Sequence, residues 1–165
     1  QKGFDRLLEA WRRVCDDFPD WRLCIIGAGE EEAELKGLAE TLDVQYSVQF
    51  VPPVQGLEGV YRHVQLYAMS SRAEGFPMVL LEAMSFGLPV VSFNCTGPDV
   101  IVRDGEDGFL VKQNYTDRLA SKMAELMRDE EKRARFGQNA QDVCKRFSLN
   151  KYLDAYETLC KDAVK

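Results

Sequence analysis

Two glutamates, Glu74 and Glu82, bracket the segment Glu74-Gly75-Phe76-Pro77-Met78-Val79-Leu80-Leu81-Glu82. The pattern reads as the end of a strand, a turn, and a helix with Pro77 near its first position, where the missing N–H costs nothing. Gly75 lets the backbone approach a ligand closely. The unpaired amides at a helix start, with the positive end of its dipole, form an anion site. Glu82 lies about 7–8 Å beyond Pro77 along the helix axis, at ~1.5 Å per residue. Carboxylates accept hydrogen bonds from hydroxyl groups. A ligand with a diphosphate between two polyols, as in a nucleotide sugar, fits that layout. Taken alone, the two glutamates would be read as solvated surface residues, so the weight rests on what surrounds them.

The elements that must position this segment alternate along the chain. Phe4, Leu7, Leu8, Trp11 and Val14 recur at helical spacing and predict a helix over residues 3–17, stopped by Pro19. Short apolar runs predict strands over 23–26, 46–50, 64–69, 89–93 and 109–111. Helices are expected over 30–42, 57–63 and 78–86, the last closed by Gly87, and a helical turn over 98–102. The last third reads as helices over 117–128, 130–146 and 150–163. Such alternation predicts an α/β fold, a doubly wound parallel sheet with helices on both faces. The chain opens on a helix with no strand before it. The expectation is therefore a domain whose first strand is absent from this chain, with an unfilled position beside residues 23–26. Tag residues, a partner chain or a strand rearrangement are expected to fill it, since open strand edges are avoided.

Composition narrows the function. The chain has 165 residues, a net charge of −6 and no dense Lys/Arg cluster, which argues against nucleic acid as a partner. No apolar run approaches the ~18 residues of a membrane span. Cys15, Cys24, Cys95, Cys144 and Cys160 match neither a zinc pattern nor a redox pair, and their odd number fits a reducing compartment. The two glycosylation sequons at Asn94 and Asn114 read as chance matches. Neither a metal nor a cofactor is expected.

Five segments occur in a fixed order: Lys2-Gly3-Phe4-Asp5, Ile25-Ile26-Gly27-Ala28-Gly29, Glu74 to Glu82, Gly87-Leu88-Pro89-Val90-Val91, and Asp104-Gly105-Glu106-Asp107-Gly108-Phe109-Leu110-Val111. Together they resemble the C-terminal half of retaining glycosyltransferases of family four, which have the GT-B architecture of two facing Rossmann-like domains. The resemblance covers nearly the whole chain. Its most specific part is the Glu-x7-Glu motif followed by Gly-Leu-Pro-Val-Val.

The resemblance implies a C-terminal nucleotide-sugar-binding domain over residues 1–165, with the N-terminal acceptor domain outside it. Glu74 matches the glutamate that contacts the transferred sugar. Gly75, Phe76 and Pro77 match the loop facing sugar and phosphates. Met78, Val79 and Leu80 match the start of the phosphate-facing helix, and Glu82 the glutamate that holds the ribose. Lys2 matches the lysine that neutralises the diphosphate, and the arginine paired with it in the family is absent here. Gly27 is expected near the donor nucleoside. The implied activity is retaining transfer from a nucleotide-diphosphate sugar, with a uridine-diphosphate hexose preferred. The acceptor is a glycan or a lipid-linked glycan in bacterial polysaccharide or lipopolysaccharide assembly. The implied location is the cytoplasm, with the parent protein peripheral at the inner membrane face. The isolated chain is expected to bind donor weakly and transfer little.

Two other readings compete. A non-catalytic nucleotide-sugar module would keep the pocket without transfer. A nicotinamide-dependent oxidoreductase would need a third glycine after Gly27-Ala28-Gly29, where Glu30, Glu31 and Glu32 instead repel a pyrophosphate. His63, the only histidine, reads as a surface or capping residue. The acidic run 104–108 is too short for a calcium loop and reads as a tight turn. Thr96-Gly97-Pro98 reads equally as pocket rim or as turn chemistry, and Trp11, Phe18 and Trp21 as core.

Overall fold

The computed structural model describes residues 1–163. Helix α1 (Phe4–Arg12) buries Leu7, Leu8, Ala10 and Trp11, so the apolar stripe read from the sequence faces the core. It is shorter than expected. The chain passes through a 3-10 turn at Cys15–Asp17 instead of running on to residue 17 as α-helix. There follow β1 (Leu23–Ile26), α2 (Glu32–Thr41), β2 (Val48–Val51), α3 (Glu58–Tyr61), β3 (Tyr67–Met69), α4 (Met78–Ser85), β4 (Val90–Asn94), α5 (Pro98–Ile101) and β5 (Gly108–Lys112). Helices α6 (Thr116–Arg128), α7 (Glu130–Ala140), α8 (Val143–Arg146) and α9 (Leu149–Ala163) complete the described residues.

All strand pairs are parallel, as the βα alternation requires. The hydrogen-bond ladders nevertheless form two sheets, β1-β2 and β3-β4-β5, rather than the single doubly wound sheet expected. Among the described residues β1 pairs only with β2, so its other edge carries no strand. One apolar core still spans both sheets. Ile25 and Val48 share it with Val91, Phe93, Phe109 and Val111, closed by Trp11 of α1 and Leu119, Met123 and Leu126 of α6. Strand β4 is buried from Val90 to Phe93, as a central parallel strand covered on both faces must be.

One detail corrects the sequence reading and one adds to it. The helix expected over 130–146 breaks between α7 and α8, where Asp142 accepts a hydrogen bond from Arg103 at 3.2 Å. The turn before β5 is tight, as expected, and is built around a buried carboxylate. Asp107 is fully buried and receives the Arg103 backbone N–H, Arg103 Nε and Arg146 Nη1 at 2.7, 2.7 and 3.3 Å. Arg146 reaches on to the Ile101 carbonyl at 2.6 Å, and Arg103 to the Asn139 carbonyl at 3.0 Å. The turn thus ties α7 and α8 to the β4-β5 edge.

Candidate functional site

Strand β3 ends at Met69, and two buried serines follow it. Ser70 Oγ donates to the Lys2 carbonyl at 3.0 Å, and the Arg72 N–H donates to the Gln1 carbonyl at 2.9 Å. These bonds lay the first residues of the chain along the exit of β3. Gly3 completes the approach with φ +67, and a Cβ there would collide with the Ser70 carbonyl. Lys2 is thereby delivered to Glu74, 72 positions away in sequence, and its Nζ donates to Glu74 Oε1 at 2.8 Å. Ser71 Oγ donates to the same oxygen at 2.7 Å. Burial would raise the Glu74 carboxyl, but the hydrogen bonds from Lys2 and Ser71 and the Lys2 charge hold it below the ordinary range.

Glu74 borders a cleft of about 430 Å³ at the carboxyl ends of β3, β4 and β5, shared with Arg72, Asn94, Thr96, Asp99 and Gln113. Carboxyl ends of parallel strands are where open α/β sheets bind ligands. Of the two readings open for Thr96-Gly97-Pro98, Thr96 takes the rim position.

Helix α4 begins at Met78, as expected, with Pro77 as its N-cap at φ −76 and ψ 96. The Pro77 carbonyl accepts the Leu80 N–H at 3.0 Å. Among the described residues the N–H groups of Met78 and Val79 have no protein acceptor, so two donors face outward at the positive end of α4. Gly75 has open space where a Cβ would stand. The glycine with no such freedom is Gly97, at φ +103. A Cβ there would lie 2.7 Å from the Gly75 carbonyl oxygen and 2.8 Å from Pro77 Cδ. Gly97 therefore backs the loop that Gly75 and Pro77 form, a role the sequence showed only as Thr-Gly-Pro turn chemistry. Phe76 and Met78 are exposed, and Phe76 meets Phe147 edge-on with ring centroids 5.8 Å apart.

Leu80 departs from its expected place beside a ligand. Its side chain is fully buried with Met84, Val90 and Ile101, and its amide is already bonded to Pro77. Helical periodicity turns it inward while Met78 and Val79 point away. Gly27 closes β1 at φ +140 and donates to the Val51 carbonyl at 2.9 Å. It belongs to the two-stranded sheet, and no hydrogen bond joins it to the Glu74–Val79 stretch. His63 accepts the capping role, with Nδ1 2.7 Å from the Gly59 carbonyl.

Glu82 is exposed on α4 and lies outside the cleft that Glu74 borders. Its carboxylate accepts from Tyr61 OH at 3.4 Å, a long bond. Burial, then the charge of Glu82 and this hydrogen bond, push the Tyr61 phenol up to about 12. The Tyr67 phenol is also raised, by burial first and then by the nearby Tyr61, Glu74 and Glu82. Among the described residues no group of three or more His, Cys, Asp or Glu is arranged to hold a metal ion.

The resemblance assigns Lys2 to the diphosphate and Glu74 to the sugar, and the structure pairs the two with each other. Residues 1–143 match the family described as Glycosyl transferases group 1. The chain belongs to the glycosyl transferases group 1 family. A glycosyltransferase of Haemophilus influenzae is 36% identical over 157 residues, covering 94% of this chain and 44% of that protein. The amylovoran biosynthesis glycosyltransferase AmsD of Erwinia amylovora is 38% identical over 141 residues, covering 85% of this chain and 39% of its own length. The crystal structure of Anabaena HepE in complex with UDP-glucose superposes with a TM-score of 0.85 at 27% identity, over 97% of this chain and 45% of that one. This group 1 chain therefore spans less than half the length of each relative, and its α/β fold is that of a GT-B glycosyltransferase domain. No described helix is long and apolar enough to cross a membrane.

Proposed function

We propose that this chain is the donor-binding half of a retaining glycosyltransferase of family four. Its donor is a nucleoside-diphosphate sugar, with uridine-diphosphate hexose favoured. The observation that carries the reading is the Lys2–Glu74 pair on the turn that leads into α4, together with the Met78 and Val79 amides that no protein acceptor takes among the described residues. A diphosphate seated on those amides has Lys2 on its flank. Lys2 then stands between two anions, Glu74 and the diphosphate, and lowers their mutual repulsion. As the sugar–phosphate bond breaks, negative charge grows on the leaving diphosphate. Fixed amides and an ammonium already in place stabilise it without reorganising.

Glu74 has its Oε1 occupied by Lys2 and Ser71, which leaves Oε2 to accept from a sugar hydroxyl and orient the ring. Glu82, further along α4, accepts from the ribose. This division needs no metal, because Lys2 and the helix start supply the positive charge. The acceptor, a glycan or lipid-linked glycan of surface polysaccharide or lipopolysaccharide assembly, is bound by sequence outside this chain. AmsD's role in amylovoran biosynthesis and the UDP-glucose held by HepE support that class. The cysteine pattern supports work in the cytoplasm.

Calorimetry of the chain with UDP-glucose and a guanosine-diphosphate hexose tests the donor reading. Binding that weakens in both Lys2→Ala and Glu82→Ala supports it. Unchanged binding in both variants refutes the site. The anomeric configuration of the product, read by NMR from the full-length protein, tests retention. Binding without transfer there identifies a non-catalytic module.

A further inference from the structure

Glu82 and Glu74 are held differently. Lys2 and Ser71 secure Glu74, whereas among the described residues Glu82 has no ion-pair partner, and its carboxylate meets one side chain, Tyr61. Tyr61 comes from α3, 21 residues earlier, and its ring is buried. The ring packs against Phe86, the residue that caps α4, with centroids 5.5 Å apart, and the Arg62 guanidinium covers the same Phe86 ring at 5.3 Å. The end of α3 is therefore packed onto Phe86, which holds the phenol to the helix that bears Glu82. Because its pKa lies far above neutrality, the hydroxyl remains a donor at every working pH. It can occupy only one Glu82 oxygen, Oε2, which leaves Oε1 to a ligand.

We propose that Tyr61 is a positioning residue for ribose recognition, orienting the Glu82 carboxylate so that its free oxygen meets the nucleoside hydroxyls. This rests on the ribose assignment of Glu82 made above and extends it to a residue that touches no substrate.

The test is NMR titration of the chain and of its Tyr61→Phe, Glu82→Gln and double variants, with uridine diphosphate and with 2′,3′-dideoxyuridine diphosphate. Tyr61→Phe keeps the ring and its packing. It is expected to weaken uridine diphosphate about three- to tenfold, the worth of one hydrogen bond, and to leave the dideoxy analogue unchanged. In the Glu82→Gln background the Tyr61→Phe change should have less than a twofold effect. Equal weakening of both ligands by Tyr61→Phe would mean a purely structural tyrosine and overturn the proposal. Glu82→Gln weakening uridine diphosphate while Tyr61→Phe does not would overturn the role of Tyr61 alone. Uridine diphosphate binding unmoved by Glu82→Gln, or not detected, would overturn the ribose reading and this inference with it.

Discussion

Two of the acid–base clusters among the described residues stand at opposite extremes. At the turn before β5, Asp107 is fully buried and spends both carboxylate oxygens on Arg103 and Arg146. The two arginines use their remaining donors on Asn139, Ile101 and Asp142. At the exit of β3, Glu74 spends one oxygen, on Ser71 and on a lysine whose side chain is 56% exposed. A closed cluster locks elements together, and any ligand would have to break it. A half-satisfied carboxylate beside outward amides is bound loosely enough to exchange partners. Identical chemistry is structural in one place and available in the other because of burial and of what remains unpaired.

The comparison breaks most sharply at Asp107. Asp107→Ala leaves two guanidinium groups facing an emptied buried site and should cost about 3–5 kcal/mol of stability in urea unfolding. A loss below ~1 kcal/mol would remove the distinction drawn here.

Glu74→Ala is the matched substitution on the other side. Its ion pair is screened by solvent, so the stability change should stay within ~1 kcal/mol. Turnover of the full-length protein should fall roughly 100-fold, since a misplaced sugar is penalised most at the transition state. A raised Michaelis constant with turnover near wild type would make Glu74 a plain binding residue.

Two glycines sharpen the picture of the loop between them. Gly97→Ala, at positive φ and against Gly75 and Pro77, should cost roughly 1–3 kcal/mol by thermal unfolding. Gly75→Ala should change stability by about 0.5 kcal/mol or less while weakening donor binding, because its methyl points into open space. Equal stability losses would show that the loop is not backed by Gly97.

The remaining effect is in pH. The folded Glu74 carboxyl lies below its ordinary value of 4.5, so its ion pair stabilises the fold above that pH. The contribution fades as pH falls from about 4.5 through the lowered folded value. Lys2→Met should remove up to ~1 kcal/mol of that acid-side dependence, measured as stability between pH 5 and 3. An unchanged pH profile would separate Lys2 from Glu74 energetically.

Much of this was legible in the residues. Period and turn chemistry are local, so the strands at Leu23 and Val90, the amphipathic α1 and the proline-led start of α4 follow from neighbours a few positions apart. The motif order likewise singled out Glu74, Glu82 and Lys2, but only the structure pairs Lys2 with Glu74 and leaves Glu82 outside their cleft. What stayed hidden was set by distance along the chain or by facing. Leu80 carries the same motif as Met78, yet helical rotation turns one into the core and the other to the surface. Nothing near Asp107 announces that Arg146 will bury it, and nothing near Gly97 announces the Gly75 carbonyl behind it. Nothing near Glu82 announces Tyr61. The sequence by itself determined the alternation of elements and the chemistry available at each turn. Tertiary structure alone decided which of those groups meet, because Lys2 and Glu74 become partners only when the exit of β3 pairs with the start of the chain.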